Sequence, residues 1–482
     1  MSWEHDGPNE YFLRVQARVC TGPEQSRPLG LSPDDELQPE RALEMVMQSL
    51  REELPSAQRV SLAQMGAFFT AMTLRRRFEG PGAWTEGERR AFDGVRSQLL
   101  DDLPDAIVAL IEPTADRSCS DGDALSGAVR RIVLGEHLGT VETRAALEIV
   151  LSGHAHPALA AAMLIGQRMN IETHDESLAY LHATSPPCAT IELSSLMHVG
   201  QPYNGSVRSF RPALFAAAVS AALGTPTLLH GVHRMPPKDG ITEEQMIRAL
   251  GQQHDLDEDL ARTTLLDSAI GFAFVDREQL RPGASSLIAL RTHIKKRPVF
   301  ATTEKLHLVL RASGHNHMIC GYFHPGYGAK MLALMRDHRL DTEIVLKGRE
   351  GSTDPSLRSG HRDDAHAMNQ CHVRRRLGDT WEPSSLKIDP AALGIRRWPK
   401  ARPPLHAENA AALACRGLRG EHGPVRDSIA LSAATKHHIV AQTPSLESSL
   451  RAAYRVIDNG DAWNRMQRYL AASVGAQLIT TQ

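Results

Sequence analysis

One stretch of the chain, residues 199–251, reads VGQPYNGSVRSFRPALFAAAVSAALGTPTLLHGVHRMPPKDGITEEQMIRALG. A polar loop with glycines comes first, an alanine-rich helix follows, and a short apolar strand leads into a second glycine-bearing loop and another helix. In α/β proteins, this order of elements builds phosphate-facing pockets at the carboxyl ends of parallel strands. The stretch therefore predicts an anion-binding edge of a parallel sheet.

Length and composition bound the class of protein. The chain has 482 residues, which is too long for one simple core and predicts two or three domains. Hydrophobic residues make up 42% and charged residues 23%, as is typical of a soluble globular protein. The formal net charge is −2, so no global attraction to nucleic acid or to an anionic membrane is expected, although local basic clusters are present.

The chain also lacks the sequence signs of a membrane or secreted protein. No apolar run reaches the roughly 18 to 20 residues that a membrane span needs, and the polar, acidic start is unlike a secretory signal. The cysteines are far apart and form no CxxC pair, which disfavours a disulfide scaffold or a structural zinc site and predicts a cytoplasmic protein. They are Cys20, Cys119, Cys188, Cys320, Cys371 and Cys415.

The first part of the chain has helical periodicity, with Ser61 and Thr85 in N-cap positions and a linker predicted over 113–123. A second helical block follows, and it resembles the first. RALEMVM at 41–47 parallels AALEIVL at 145–151, and residues 64–75 parallel residues 159–170. Divergent duplication and chance similarity of two amphipathic helix pairs both account for this pattern.

From residue 189 onward, strands alternate with helices, which predicts a parallel sheet with crossover helices. The predicted strands are 189–196, 225–231, 297–303, 317–323 and 342–348. The predicted helices are 212–223, 242–251, 257–270, 326–338 and 427–441, and two further helices close the chain.

Five segments then carry a family resemblance. In chain order they read GEHLGTVETRAALEIVLSG with LAAAMLIGQRMN, LLHGVHRMPPKDGITEEQMIRALG, LIALRTHIKKRPVF, ICGYFHPGYGAKMLALM with IVLKGREGSTD, and SIALSAATKHHIVAQTPSLESSLRAAYRVIDNGDAW. Together they resemble the anthranilate phosphoribosyltransferase-like family, whose fold is shared with pyrimidine nucleoside phosphorylases. The resemblance covers roughly residues 125–475.

The resemblance implies a small helical domain plus a larger α/β domain with a mostly parallel central sheet. It divides the chain into an N-terminal helical extension (1–120), a helical dimerisation domain (121–195) and an α/β phosphoribosyltransferase-like domain (196–482). Helices in 242–285 are expected to pack on the helical domain, and the protein is expected to be a homodimer. The family transfers phosphoribose from phosphoribosyl diphosphate (PRPP) to an aromatic amine, with magnesium on the pyrophosphate.

The family's PRPP loop is altered in this chain. Where the family has GTGGD, the chain has Gly200-Gln201-Pro202-Tyr203-Asn204-Gly205, so two glycines match and the aspartate does not. The resemblance implies that residues of the two glycine-bearing loops bind phosphate. The alternative for the two arginines and the lysine of this set is that they are solvated surface residues. The set is Gly200, Gly205, Arg208, Arg211, His230, Gly231 and Lys238.

Two further roles follow from the resemblance. Arg291 falls on the arginine that contacts the acceptor's carboxylate, for which a guanidinium fork is suited, although a helix-surface arginine is the plain alternative. Thr353-Asp354 stands where the family has its Asp-Glu metal pair, with Glu350 close by. Glu350 and Asp354 are therefore the expected Mg²⁺ ligands, since such carboxylates hold magnesium together with substrate phosphates.

The residues leave two functions open. The first is a pentosyltransferase related to the family, with a phosphorylated sugar or nucleotide-like ligand, a degenerate PRPP motif and an unassigned acceptor. The second is a non-catalytic homodimer of the same fold that binds nucleic acid through basic runs, with Trp398 available to stack on a base. The runs are 75–77, 295–297, 374–376 and 396–400.

Overall fold

The computed structural model describes residues 7–114, 124–280, 282–358, 368–396, 404 and 406–472. The chain forms two compact units, the first made of residues 1–184 with 282–301 and the second of residues 185–281 with 302–482. The predicted linker 113–123 lies almost entirely outside the described residues. The division into an extension, a dimerisation domain and an α/β domain stays a prediction.

The helices of the first unit follow one another from the amino terminus. They are α1 (Glu10–Val19), α2 (Pro39–Leu50), α3 (Leu62–Arg75), α4 (Glu86–Asp102), α5 (Asp105–Ile111), α6 (Ala124–Val133), α7 (Thr140–Leu151), α8 (Pro157–Met169) and α9 (His174–Thr184). The later helices are α10 (Ala213–Ala222), α11 (Glu243–Ala249), α12 (Glu258–Leu266), α13 (Arg277–Leu280), α14 (Pro282–Thr292), α15 (Phe300–Thr303), α16 (Tyr327–Met335), α17 (Ala407–Leu418), α18 (Pro424–Ala441), α19 (Leu446–Asp458) and α20 (Asp461–Ala471).

Both predicted N-caps are confirmed. The Ser61 side chain accepts from the backbone N–H of Gln64, and the Gln64 side chain accepts from the backbone of Ser61, which makes a capping box at the start of α3. Thr85 and Glu88 form the same reciprocal pair at the start of α4. These caps satisfy backbone donors that the first helical turn leaves unpaired.

The centre of the first unit is the contact between α3 and α8. The buried face of α3 approaches α8 so closely that a Cβ at Gly66 would lie 2.1 Å from the carbonyl oxygen of Ala158. The two helices carry the similar segments 64–75 and 159–170, so the structure packs the two halves of the sequence similarity against each other. Their origin by duplication stays a prediction.

The second unit is built on a sheet whose strand order is β4-β3-β2-β6-β7-β8-β9. The strands are β1 (Ala189–Ile191), β2 (Ser195–Gly200), β3 (Thr227–Gly231), β4 (Phe272–Asp276), β5 (Leu310–Ala312), β6 (His315–Tyr322), β7 (Thr342–Lys347), β8 (Gln370–Leu377) and β9 (Thr380–Lys387). Pairing is parallel from β4 to β7, and β8 and β9 are antiparallel additions. β1 and β5 form a separate parallel pair.

The predicted fold class, a helical part plus an α/β part with a mostly parallel sheet, is confirmed. Helix α10 packs against β3 and β4, and α17 and α18 contribute to the same apolar core. Within this unit α11 packs against α17, and α12 packs against β4.

Three secondary-structure predictions are wrong. The predicted strand 189–196 is two strands in different sheets, β1 ending at Ile191 and β2 running from Ser195 to Gly200. The predicted strand 297–303 contains the short helix α15, and its buried Val299 and Phe300 show why the pattern is ambiguous. A short apolar run has the same periodicity in a buried strand and in a buried helix. The predicted helix 257–270 ends at Leu266, and the fully buried strand β4 follows it.

No helix among the described residues is long and apolar enough to cross a membrane. The cysteines that the structure describes are free thiols.

The α3–α8 contact yields a matched pair of substitutions. Gly66→Ala places a methyl group against backbone that cannot move aside, so we expect a loss of about 1–3 kcal/mol or more in the free energy of unfolding. Gly94→Ala, in the exposed middle of α4 where a Cβ meets nothing within 4 Å, should gain about 0.5–1 kcal/mol. Urea denaturation measures both, and a neutral Gly66→Ala would contradict the packing described.

Candidate functional site

Three loops lie at one edge of the seven-stranded sheet. They follow β2, β3 and β7, which end at Gly200, Gly231 and Lys347. β2 pairs with β3 on one side and with β6 on the other, and β6 pairs with β7, all in parallel. Because the carboxyl ends of parallel strands share an edge, this is where an α/β sheet places ligands.

The loops after β2 and β3 are joined by their backbones. Ser206 and Ile241 exchange two N–H···O hydrogen bonds, each 3.0 Å long. Glycine is required where the chains cross, because a Cβ at Gly205 would lie 2.2 Å from the carbonyl oxygen of Gly240. The two loops are therefore fixed relative to each other without any ligand.

The carboxylate of Glu350, in the loop after β7, is surrounded by hydrogen-bond donors from both loops. The donors to Oε2 are the hydroxyls of Ser206 (2.5 Å) and Ser209 (2.7 Å) and the backbone N–H of Arg208 (3.0 Å), and those to Oε1 are the backbone N–H of Val207 (3.2 Å) and the ammonium of Lys238 (2.5 Å). We call these donors, from the turn 206–209 and Lys238, the anion cradle. Lys238 also donates to the carbonyl oxygen of Gly205 at 2.7 Å.

The charge state of Glu350 follows from these contacts. Burial alone would raise the pKa of its carboxyl, but the hydrogen bonds from Lys238, Ser206 and Ser209 and the Lys238 charge outweigh burial and lower that pKa to about 2. Glu350 is thus a carboxylate at neutral pH. Its backbone is left-handed, with φ 54° and ψ 17°, a region that residues with a side chain rarely adopt.

A second carboxylate, Asp354, lies in the interior next to a buried lysine. Asp354 Oδ1 accepts from the hydroxyl of Ser432 at 2.6 Å and lies 3.3 Å from Lys436 Nζ, and Oδ2 accepts from Ser352 (2.7 Å) and Gln201 (2.9 Å). Burial would raise the pKa of Asp354, yet the Lys436 charge and the hydrogen bonds keep it below the ordinary aspartate value. Lys436 and Asp354 therefore form a buried, hydrogen-bonded ion pair.

Arg211, predicted to bind phosphate, is directed into the protein. Its Nη1 lies 3.4 Å from Glu243 Oε2, and its Nη2 donates to Gln201 Oε1 at 3.2 Å and to the carbonyl oxygen of Pro202 at 3.0 Å. Burial raises the pKa of Glu243, and the Arg211 charge opposes that shift. The guanidinium is thus held by an interior carboxylate and an amide.

The remaining predicted phosphate ligands of the strand ends make packing contacts. A Cβ at Gly200 would lie 2.0 Å from the carbonyl oxygen of Lys305, and one at Gly231 would lie 3.2 Å from the ring of Phe274. His230 is 2% exposed, and its Nδ1 lies 2.7 Å from the hydroxyl of Tyr203. Burial lowers the pKa of His230 to about 3, so the imidazole is neutral at neutral pH.

Two predicted arginines lie in different units. The side chain of Arg208 is exposed and makes no ion pair among the described residues of the second unit. Arg291 belongs to the first unit, where it is buried in α14 at 2% exposure. The structure therefore gathers Gly200, Gly205, Arg208, Arg211, His230, Gly231 and Lys238 at the loops of one sheet, and it places Arg291 in the other unit.

The two expected magnesium ligands, Glu350 and Asp354, are both paired with lysines. Glu350 is neutralised by Lys238 and Asp354 by Lys436, and no group of three or more His, Cys, Asp or Glu side chains suited to a metal ion occurs among the described residues. As folded, these carboxylates do not form a magnesium site from protein alone. Magnesium that keeps phosphate oxygens in its shell needs only one or two carboxylates, so the set fits the ion only together with a phosphorylated ligand.

Some arginines of the basic runs form ion pairs with carboxylates of the protein itself. Arg75 is buried against Glu88 at 2.7 Å, and Arg374 pairs with Glu343 and stacks over Trp381. Trp398 and most of the run 396–400 lie outside the described residues. The nucleic-acid alternative stays a prediction.

Sequence reasoning missed several polar residues of this edge. They are Gln201, Ser206, Ser209, Glu243, Ser432 and Lys436. One signal was present, since Lys436 directly follows the small and apolar run 429–435 in the predicted helix 427–441. A lysine there requires a partner, but the sequence does not say which.

Comparison with known proteins then places the chain. No protein-family model matches it. The anthranilate phosphoribosyltransferase of Thermomicrobium roseum is 27% identical over 354 residues, which cover 71% of this chain and 95% of that protein. The enzyme of Pelotomaculum thermopropionicum is 26% identical over 340 residues, covering 70% and 93%. The chain is thus similar to anthranilate phosphoribosyltransferases over about 70% of its length.

Solved structures of such enzymes share the fold. The Thermus thermophilus enzyme is 23% identical with a TM-score of 0.56, covering 71% of this chain and 98% of that one. The Saccharomyces cerevisiae enzyme in complex with PRPP and Mg is 16% identical with a TM-score of 0.58, covering 73% and 98%. The magnesium in that structure agrees with the Mg²⁺ that the sequence resemblance implies.

Removing the buried ammonium of Lys436 should lower the free energy of unfolding, because its partner Asp354 stays charged. Lys436→Met leaves Asp354 as an unpaired buried charge, so we expect a loss of about 3–5 kcal/mol in the free energy of unfolding at pH 7. Lys436→Met with Asp354→Asn should recover part of that loss. Because the pKa of Asp354 is depressed, its stabilisation is present at neutral pH and is lost as the pH falls below about 4.

Urea denaturation at pH 7 and at acid pH measures these effects, with the exposed Lys387→Met as the matched control. If Lys436→Met is as stable as Lys387→Met, the buried ion pair does not hold this edge together.

Proposed function

We propose that the chain is a phosphoribosyltransferase-like protein that binds a phosphorylated sugar or a nucleotide-like small molecule at the carboxyl edge of its parallel sheet. The observation that carries the proposal is the anion cradle, a set of backbone, hydroxyl and ammonium donors on loops already fixed to each other. Preorganised donors of this kind suit a phosphoryl group. The similarity to anthranilate phosphoribosyltransferases supports the same ligand class.

The reaction in this proposal is displacement at C1 of the sugar. The bond from C1 to the pyrophosphate oxygen breaks, a bond from C1 to the acceptor's nucleophilic atom forms, and pyrophosphate leaves with the electron pair. Lys238 and the turn 206–209 would hold the charge that develops on the leaving group, and exposed Arg208 would add a second cation. Catalysis would come mainly from positioning and from this charge stabilisation.

The acceptor belongs to the same proposal. The resemblance implies that Arg291 binds the carboxylate of an acidic or aromatic acceptor, and this role stays a prediction because Arg291 belongs to the first unit. Residues 300–306 read FATTEKL, where the family that the chain resembles has a different segment lining the acceptor pocket. We therefore propose an acceptor that differs from anthranilate.

Magnesium would be held by Glu350 and Asp354 together with phosphate oxygens, and it would neutralise charge on the pyrophosphate. The carboxylates of this chain are occupied by lysines while no phosphorylated ligand is bound. Magnesium binding should therefore depend on the ligand.

The direct test is calorimetric titration with PRPP. We expect PRPP to bind in the presence of Mg²⁺, Lys238→Met to weaken that binding by about tenfold or more through loss of a charge-assisted contact, and Mg²⁺ alone to give no heat. Lys387→Met serves as the matched control, because it removes an exposed lysine from β9. Absence of binding at millimolar PRPP would remove this function.

The homodimer and the cytoplasmic location are further parts of the proposal, and a non-catalytic homodimer that binds nucleic acid is its alternative. Light scattering measures the oligomeric state, and a gel-shift series against salt tests the alternative. Contacts with nucleic-acid phosphates are strongest at low salt. Undetectable binding at low salt would therefore exclude the nucleic-acid-binding alternative.

A further inference from the structure

The anion cradle contains a negatively charged group of the protein itself. Five donors converge on the two oxygens of Glu350, at distances between 2.5 and 3.2 Å. Two are adjacent backbone N–H groups of a tight turn, two are hydroxyls that flank them, and one is an ammonium. A turn that aims consecutive N–H groups at one point is a general anion-binding arrangement, and it is indifferent to which anion fills it.

The donors do not depend on Glu350 for their position. The turn 206–209 is tied to the loop of Lys238 by the backbone pairing of Ser206 with Ile241 and by the glycine crossing of Gly205 and Gly240. The serines of the turn also contact each other, with 3.1 Å between their hydroxyl oxygens. The cradle would therefore keep its shape when its occupant leaves.

Glu350, in contrast, has an unfavourable backbone conformation. Its backbone is in the left-handed region that favours glycine. Its side chain is 12% exposed and that of Lys238 is 19% exposed, so the ion pair lies at the solvent boundary. The carboxylate is able to leave without opening the sheet or the buried pair of Asp354 and Lys436.

We propose that the turn 206–209 with Lys238 is a phosphoryl-binding subsite for which Glu350 is a built-in competitor. This rests on the proposed function for the class of ligand, a phosphorylated sugar or nucleotide-like molecule. The phosphoryl group takes the donors that Glu350 holds in the protein alone, and the carboxylate leaves the cradle. The apparent affinity for phosphate is then reduced by the fraction of molecules in which Glu350 fills the cradle.

The test is titration with inorganic pyrophosphate in buffer that contains EDTA, so that no metal contributes. Glu350→Ala and Glu350→Gly both remove the competitor, and the glycine variant also accepts the left-handed backbone, which guards against a folding defect. We expect both to bind pyrophosphate about tenfold or more tightly than the wild type. Lys238→Met added to Glu350→Ala should abolish the gain.

Glu447→Gln, an exposed acid on α19, is the matched control because it removes the same charge elsewhere, and it should leave the affinity unchanged. Equal pyrophosphate affinity of wild type, Glu350→Ala and Glu350→Gly would overturn the inference, as would an equal gain in Glu447→Gln. Circular dichroism and thermal melting confirm that each variant is folded.

The PRPP titration separates this inference from the proposed function. Wild-type binding of PRPP with Mg²⁺, together with no gain in the Glu350 variants, would reject the competitor and keep the function. A gain in the variants without PRPP binding by the wild type would keep the phosphoryl subsite and reject the phosphoribosyl ligand.

Discussion

The buried ammonium of Lys436 lies against the carboxylate of Asp354, and the edge of the sheet where the loops meet is arranged around such pairings. An unpaired charge in this interior is costly, and removing one partner of a buried pair is more destabilising than never having had it. The same pairing recurs at Arg211 with Glu243 and at Lys238 with Glu350. The loops are consequently held by charge pairs that come from the protein itself.

This arrangement explains how the glycines of the two loops are retained while the polar residues around them differ from those of the family that the sequence resembles. The glycines are required by packing, since Gly200 lies against Lys305 and Gly205 lies against Gly240. A glycine retained for a close backbone crossing looks the same in a sequence as a glycine that faces a phosphate. Their presence therefore supports the fold and leaves the ligand to be argued from the donors around Glu350.

The fold was largely predictable because it rests on local patterns. The periodicity of helices, the caps at Ser61 and Thr85 and the strand that ends at Gly231 are read from neighbouring residues. The site was less predictable, because its pairings join residues far apart in the chain. Lys436 and Asp354 are separated by 82 residues, and Ser206 and Glu350 by 144. Residue types at the loops indicated an anion site, but only the folded chain shows which charges are already paired.

The occupied cradle also bears on stability in the absence of ligand. Without Glu350, the ammonium of Lys238 and two backbone N–H groups would face only solvent, and the loops would lose the contact that joins them to the strand end at Lys347. A phosphoryl group carries more charge and more acceptor oxygens than a carboxylate, so it is able to replace Glu350 and satisfy the same donors. The exchange costs the ion pair between Lys238 and Glu350. A carboxylate that satisfies these donors before the ligand arrives thus limits affinity as well, since the same donors serve both.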